Sequence, residues 1–303
     1  MRRLFWFSTL TVVVMLGGAL LLHAARRSSE AFREERVSFG ASYVCPAQDV
    51  VIYTRMSHAV GRYEIVTQRR GSARATVVSG DDRTAAFGVS DGDRLAYTRI
   101  QGNVVQLALL RPAHEPLAVT LYEGPLIGLG IGAGGNWLAT VGIDAMTLLS
   151  MENLSPMRFP FDRVLSAAIW EATLSGDGAQ AVVLSSSEGF YSLDLVGLFT
   201  ADRKTLKSSV HLMSRPRWTA DSSALTFVER TPDGWEVHEK CLDGGADRII
   251  YRTFRFIESA ELHRDGRRLL LTLGDHAEFE GYFTALHVFE ADLASGGLER
   301  VGW

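Results

Sequence analysis

From about residue 38 onward, apolar and polar side chains alternate in short runs, the period-two pattern of half-buried strands. The runs themselves repeat. Taking the apolar centre of one run per unit as an anchor gives Val51, Leu95, Leu138, Ala181, Leu225 and Leu269, spaced by 44, 43, 43, 44 and 44 residues. Four residues before the last five anchors stand Asp91-Gly92, Gly134-Gly135, Asp177-Gly178, Asp221-Ser222 and Asp265-Gly266, dipeptides that close tight hairpins. The first unit departs, with Ala47-Gln48 in that place. A third alternating run follows each anchor, at Arg62 to Gln68, Val104 to Leu110, Met146 to Met151, Phe190 to Leu195, Trp235 to Leu242 and Phe283 to Phe289. Fourth runs are visible at Ala73 to Val78, Leu117 to Tyr122, Arg248 to Tyr251 and Leu298 to Trp303.

Four short strands per period of about 44 residues define a propeller blade. The pattern predicts an all-β fold, a six-bladed β-propeller over residues 38–303 with the anchors on the second strand of each blade. A β-sandwich would not hold register to within one residue over six units. Residues 196–213 fit the repeat poorly and are expected to be an insertion between blades four and five.

The amino-terminal residues follow another rule. Leu4 to Leu22 is a run of nineteen residues without a charge, preceded by Arg2-Arg3 and followed by Arg26-Arg27. As a helix it would extend about 28 Å, close to the hydrocarbon thickness of a bilayer, with Phe5-Trp6-Phe7 suited to an interface. Its length and the absence of a small-x-small cleavage site favour an N-terminal transmembrane helix over a removed signal. Residues 1–25 are read as this anchor and residues 26–37 as a charged linker. The short amino-terminal tail resembles that of an export signal-anchor, so the propeller is expected on the periplasmic or extracytoplasmic side of the membrane.

With 31 basic and 35 acidic side chains and a net charge of −4, the chain lacks the basic field that phosphate-backbone binding needs, and nucleic acid is not an expected partner. Two cysteines, Cys45 and Cys241, make neither a disulfide framework nor a zinc site.

The stretch from Arg215 to Tyr251, RPRWTADSSALTFVERTPDGWEVHEKCLDGGADRIIY, resembles the WD-repeat-like unit of TolB-type propellers, with Ala220 where that unit carries proline. Glu258 to Thr272, Val89 to Thr98 and Leu174 to Leu184 resemble it more loosely. The resemblance implies a TolB-like six-bladed fold for residues 38–303.

The chain has no G-x-S-x-G elbow, no sialidase box, and no Gly-rich phosphate cradle. His276, among Asp275, Glu278 and Glu280, matches no metal-site spacing and reads as a solvated acidic loop. No catalytic residue, cofactor or metal is assigned. What stands out is Arg55 and Arg99, each four residues past its anchor in a Tyr-Thr-Arg sequence, where two guanidiniums would reach the same face of adjacent blades. Glu229 holds the equivalent place in the fifth blade. Arg62, Arg215, Arg252 and Arg255 are expected to join Arg55 and Arg99 from strand-connecting loops. The resulting expectation is a membrane-anchored, non-catalytic protein-protein interaction module, an accessory or assembly subunit of a larger envelope complex. Its expected partners are envelope or membrane proteins, and the lipid bilayer through residues 4–22. A periplasmic small-molecule or sugar binding propeller, using the central channel, is the alternative, and a propeller enzyme is a weaker one.

Overall fold

The computed structural model describes residues 37–44, 50–57, 62–72, 74–77, 84–91, 94–101, 104–110, 117–119, 128–132, 136–141, 145–150, 152–153, 155–160, 168–200, 202–276 and 286–301. The anchor expected over residues 1–25 lies outside them, as do residues 26–36 of the expected linker and Cys45, whereas Val37, read as the linker's last residue, already belongs to a strand. Among the described residues every regular element is a strand, and no helix is long and apolar enough to cross a membrane.

The strands form four-stranded antiparallel sheets, each a single stretch of chain in sequential order. Sheet 1 contains β1 (Val37–Val44), β2 (Val50–Ser57), β3 (Arg62–Arg69) and β4 (Ala75–Val77). Sheet 2 contains β5 (Thr84–Asp91), β6 (Arg94–Gln101), β7 (Val104–Leu110) and β8 (Leu117–Val119), and sheet 3 contains β9 (Gly128–Gly132), β10 (Trp137–Val141), β11 (Ala145–Ser150) and β12 (Pro156–Pro160). Sheet 4 is β13 (Ala168–Leu174), β14 (Gln180–Ser187), β15 (Phe190–Gly197) and β16 (Arg203–Ser209). Sheet 5 is β17 (Met213–Trp218), β18 (Ala224–Thr231), β19 (Gly234–Cys241) and β20 (Arg248–Thr253). Sheet 6 is β21 (Ile257–Leu262), β22 (Arg268–Gly274), β23 (Leu286–Asp292) and β24 (Leu298–Arg300). The anchors Val51, Leu95, Leu138, Ala181, Leu225 and Leu269 fall on β2, β6, β10, β14, β18 and β22, the second strand of each sheet. First strands contact one another in the order β1, β5, β9, β13, β17, β21 and back to β1, so they line a central axis in a β-propeller.

One expectation is corrected here. Residues 196–213 are not an insertion between sheets: they hold the end of β15, a turn, and the outer strand β16. The strand Arg-Lys-Thr-Leu-Lys-Ser-Ser buries little and shows no apolar alternation, because it is a sheet edge, where charge prevents pairing with other chains.

The turn between first and second strands is built the same way in three sheets. Asp177, Asp221 and Asp265 each accept the backbone N–H two residues on, at 2.9, 3.1 and 2.8 Å. Ser175 and Thr219 donate their hydroxyls to Asp177 and Asp221, at 2.5 and 2.8 Å, and the His263 ring lies 2.8 Å from Asp265. The next residue needs a left-handed backbone, which Gly178 (φ 68°) and Gly266 (φ 67°) adopt readily and Ser222 (φ 58°) adopts under strain. The aspartates are held below the ordinary carboxylate range, Asp177 chiefly by the Ser175 hydroxyl and Asp221 by the Ser223 amide. Burial opposes this at Asp265, where the Arg267 amide and Arg268 outweigh it.

The core lies between sheets. Val51, Tyr53 and Val66 of sheet 1 pack in one cluster with Leu269, Leu271, Leu273 and Val288 of sheet 6 and with Val228, Trp235 and Val237 of sheet 5. Trp235 meets Phe256 edge to face, with ring centroids 4.9 Å apart. No strand is shared between sheets 1 and 6, so the ring closes through side chains, including the pair Arg70 to Glu290 at 2.8 Å.

Candidate functional site

Every first strand starts, and every second strand ends, at one end of the propeller. The connections between sheets also emerge there, making it the loop-rich face, while the aspartate turns mark the opposite one. Backbone register puts Arg55 (opposite Val37 and Glu64) and Arg99 (opposite Ala85 and Gln106) at equivalent places on this face. Arg62 begins β3 opposite Ser57, Arg215 lies in β17, Arg252 lies near the end of β20, and Arg255 lies in the following connection. Of the four arginines expected in connecting loops, three are therefore in strands.

All six share one face, but the described side chains do not converge on a common point. Arg55 reaches its cross-strand neighbour Glu64 at 3.2 Å. Arg252 Nε lies 2.9 Å from Glu236. Arg255 donates to the Gly274 carbonyl at 2.8 Å, covers the Phe289 ring at 4.7 Å, and stands 3.7 Å from Asp275. Arg55 and Arg252 thus pair within their own sheets, while Arg255, in the connection, is held by groups of sheet 6.

Arg215 does something different. It occupies a bulge in the first strand of sheet 5 with φ 52°, a left-handed conformation disfavoured for a residue that precedes proline. Two carboxylates hold it there. Its N–H donates to Glu171 Oε1 at 3.3 Å, while its guanidinium lies 3.6 Å from Glu171 and hydrogen-bonds Glu258. Glu171 and Glu258 belong to the first strands of sheets 4 and 6, so one side chain bridges three consecutive sheets across the channel wall. Burial works against the charge on Arg215, but Glu171 and Glu258 outweigh it and hold the guanidinium above its ordinary pKa. Arg217, two residues on, donates to the Pro216 carbonyl at 3.1 Å. Burial pushes its pKa down and Arg215 adds to this, against the attraction of Glu171, Glu261 and Glu258.

Glu229 anchors a second polar group on this face, between sheets 4 and 5. It accepts from Ser209 Oγ at 2.5 Å and pairs with Lys207 at 2.8 Å. His238, stacked on Phe227 with centroids 5.1 Å apart, places Nε2 3.3 Å from Glu229 and 3.1 Å from Glu236. Burial raises the pKa of Glu229, but its hydrogen bonds with Lys207 and Ser209 win and hold it low. Burial, with Lys207, lowers the pKa of His238 despite both glutamates.

Among the described residues no group of three histidines, cysteines or carboxylates is arranged to hold a metal ion. Most of the acidic loop around His276 lies outside those residues. Cys241 is a free thiol. Arg217, Glu171, Glu258 and Glu261 were not singled out from the sequence, although Glu171, Arg215 and Glu258 stand 44 and 43 residues apart, the period of the repeat itself.

No family model matches the chain, and no curated protein does. Solved structures do. A protein described as TolB from Agrobacterium tumefaciens superposes with a TM-score of 0.61 at 14% identity, covering 75% of this chain and 84% of that one. TolB from Acinetobacter baumannii gives 0.56 at 14% identity, over 88% and 67% of the two chains. The fold is a β-propeller, similar to those of the TolB proteins. A puromycin-hydrolyzing peptidase from Mycobacterium tuberculosis gives 0.58 at 12% identity, over 88% of this chain, which spans about half (53%) of the peptidase. At such identities the likeness concerns the fold of the propeller and not its chemistry.

Proposed function

We propose that this propeller is a non-catalytic protein-protein interaction module. In this reading residues 4–22 anchor it in a membrane, the six sheets are the blades of a single ring on the periplasmic or extracytoplasmic side, and the whole serves a larger envelope or membrane complex as an accessory or assembly subunit. The observation that supports it most is the arginine-bearing loop-rich face. Arg55, Arg215, Arg252 and Arg255 are each paired or hydrogen-bonded to neighbouring groups of the propeller, and Arg252 and Arg255 are the more accessible of the four to a partner. Backbone register adds Arg62 and Arg99 to the same face.

The test is purification of the full chain from detergent-solubilised native membranes, with mass spectrometry of what accompanies it. An Arg55→Ala/Arg99→Ala double variant is expected to lose that partner, whereas Arg264→Ala on the opposite face retains it. Each hot-spot truncation would cost about 2 kcal/mol or more of binding. Equal recovery by both variants, with folding intact, removes the arginine face from the reading.

A second reading is supported by the charged wall formed by Glu171, Arg215, Arg217, Glu258 and Glu261: the channel takes a small polar ligand. A ligand-induced rise in melting temperature that Arg217→Ala abolishes would favour it over the first.

A further inference from the structure

The loop-rich face carries more than charge. Phe254, in the connection from β20 to β21, is 77% exposed; Val210, after β16, is 60% exposed; and Phe190, at the start of β15, is 55% exposed. Leu212 is exposed between β16 and β17. These four stand on the loop-rich face over sheets 4 and 5. Pairing of Tyr191 with Ser209 sets Phe190 beside Val210. The Arg230 N–H donates to the Leu212 carbonyl at 2.9 Å, tying that connection to the end of β18. The β18–β19 turn in turn approaches Phe254, since a Cβ on Gly234 would lie 3.5 Å from its Cα. Toward the opposite face, among the described residues, Phe199 is 66% exposed and Ile249 and Leu298, at the starts of β20 and β24, are 40% and 42% exposed, each standing apart from the others in sequence and sheet.

Arg230 is exposed beside these apolar tips, with Glu188 and Asp233 in the adjoining turns, and its long stem suits an interface between apolar and aqueous layers. Aromatic and aliphatic tips flanked by such a cation are what a polar-to-hydrocarbon boundary accepts.

The course of the chain points to the same face. Val37, the first residue of β1, pairs with Arg55, so the polypeptide enters the ring at the loop-rich face and beside the axis. Fourteen residues, 23–36, separate it from the apolar run that ends at Leu22. Their contour is at most about 50 Å, and a random chain of that length spans about 20 Å. Running from the inner strand past the outer one and down the height of an eight-residue strand would take about 40–45 Å. Such a path uses nearly the whole contour, so a tether of this length favours the face from which it departs.

We propose that the sector of the loop-rich face bearing Phe190, Val210, Leu212 and Phe254 docks on the surface of the lipid bilayer in which residues 4–22 are held. The proposal rests on the membrane-anchored reading above and adds which face meets the lipid. The full chain is reconstituted into phosphatidylcholine vesicles, with the photoreactive residue benzoylphenylalanine replacing Phe254, Phe190 or Phe199 in turn. The expected result is flotation resistant to alkaline carbonate, with lipid adducts several-fold more abundant at positions 254 and 190 than at position 199. Flotation with equal adducts at all three positions, with none, or with an excess at position 199 overturns the docking and leaves the anchor standing. Release of the protein by carbonate overturns the anchor and the docking together. Adducts to a second copy of the chain in place of lipid would show that the sector is a protein interface, and also overturn the proposal.

Discussion

Ser222 occupies, with a side chain, a backbone position that its counterparts Gly178 and Gly266 occupy without one. A left-handed serine costs of order 1 kcal/mol, and here a specific contact accompanies the cost. Ser222 Oγ accepts the Gly176 N–H at 2.8 Å, joining the turn of sheet 5 to that of sheet 4. The two effects separate by mutation. Ser222→Ala keeps the strain and loses the hydrogen bond, and is expected to destabilise by about 1 kcal/mol. Ser222→Gly loses the bond but relieves the strain, and is expected to be nearly neutral. Urea denaturation midpoints of the two variants decide this, and a larger loss for the glycine variant would refute it. The turn residues were legible in the sequence because Asp-Gly and Asp-Ser signal a local conformation. The serine's partner was not, since it lies 46 residues away on the neighbouring sheet.

At the scale of elements, β16 shows why some strands escape pattern reading. A second strand such as β18 is packed on both faces and displays an apolar run, Ala-Leu-Thr-Phe-Val-Glu. An outer strand is held by its backbone ladder and a few charges, here Arg203 to Asp194 at 2.8 Å and Lys207 to Glu229 at 2.8 Å. Nothing in its composition separates it from a loop. The junction that β16 forms with β18 and β19 should make stability depend on pH. His238 has a folded-state pKa below its ordinary value of about 6.5, so as pH falls through that value unfolded chains take up the proton first and the fold loses stability. Glu229 is shifted down, so its contribution persists until the pH falls through the carboxylate range. Thermal unfolding from pH 7.5 to 5 is expected to show a decline that His238→Phe, which keeps the ring stack on Phe227, makes shallower. Parallel curves for the two proteins would exclude His238 as its source.

For the whole molecule, the 44-residue spacing carried the architecture, because equivalent residues must recur wherever equivalent sheets pack. It did not reveal the channel wall. Glu171, Arg215 and Glu258 become neighbours only once three first strands line up around the axis, and their unlike charges hide the equivalence. Closure of the ring was equally invisible, and it is testable. Arg70 is half-exposed, so Arg70→Ala is expected to cost under about 1 kcal/mol. Leu271→Ala, which empties buried volume in the cluster joining sheets 6 and 1, should cost about 2–5 kcal/mol. Equal losses in denaturant titrations would assign closure to the ion pair and not to packing. Since each sheet is one uninterrupted piece of chain, the order of synthesis is also the order around the circle. No sheet waits for a strand from the distant terminus, and each can assemble as soon as its own hairpins emerge. The final joint alone needs both extremes of the ring. Until sheet 6 arrives, Val51, Tyr53 and Val66 on one side and Trp235 and Val237 on the other stand bare, and a nascent chain is most exposed to aggregation and proteolysis at those two unfinished flanks.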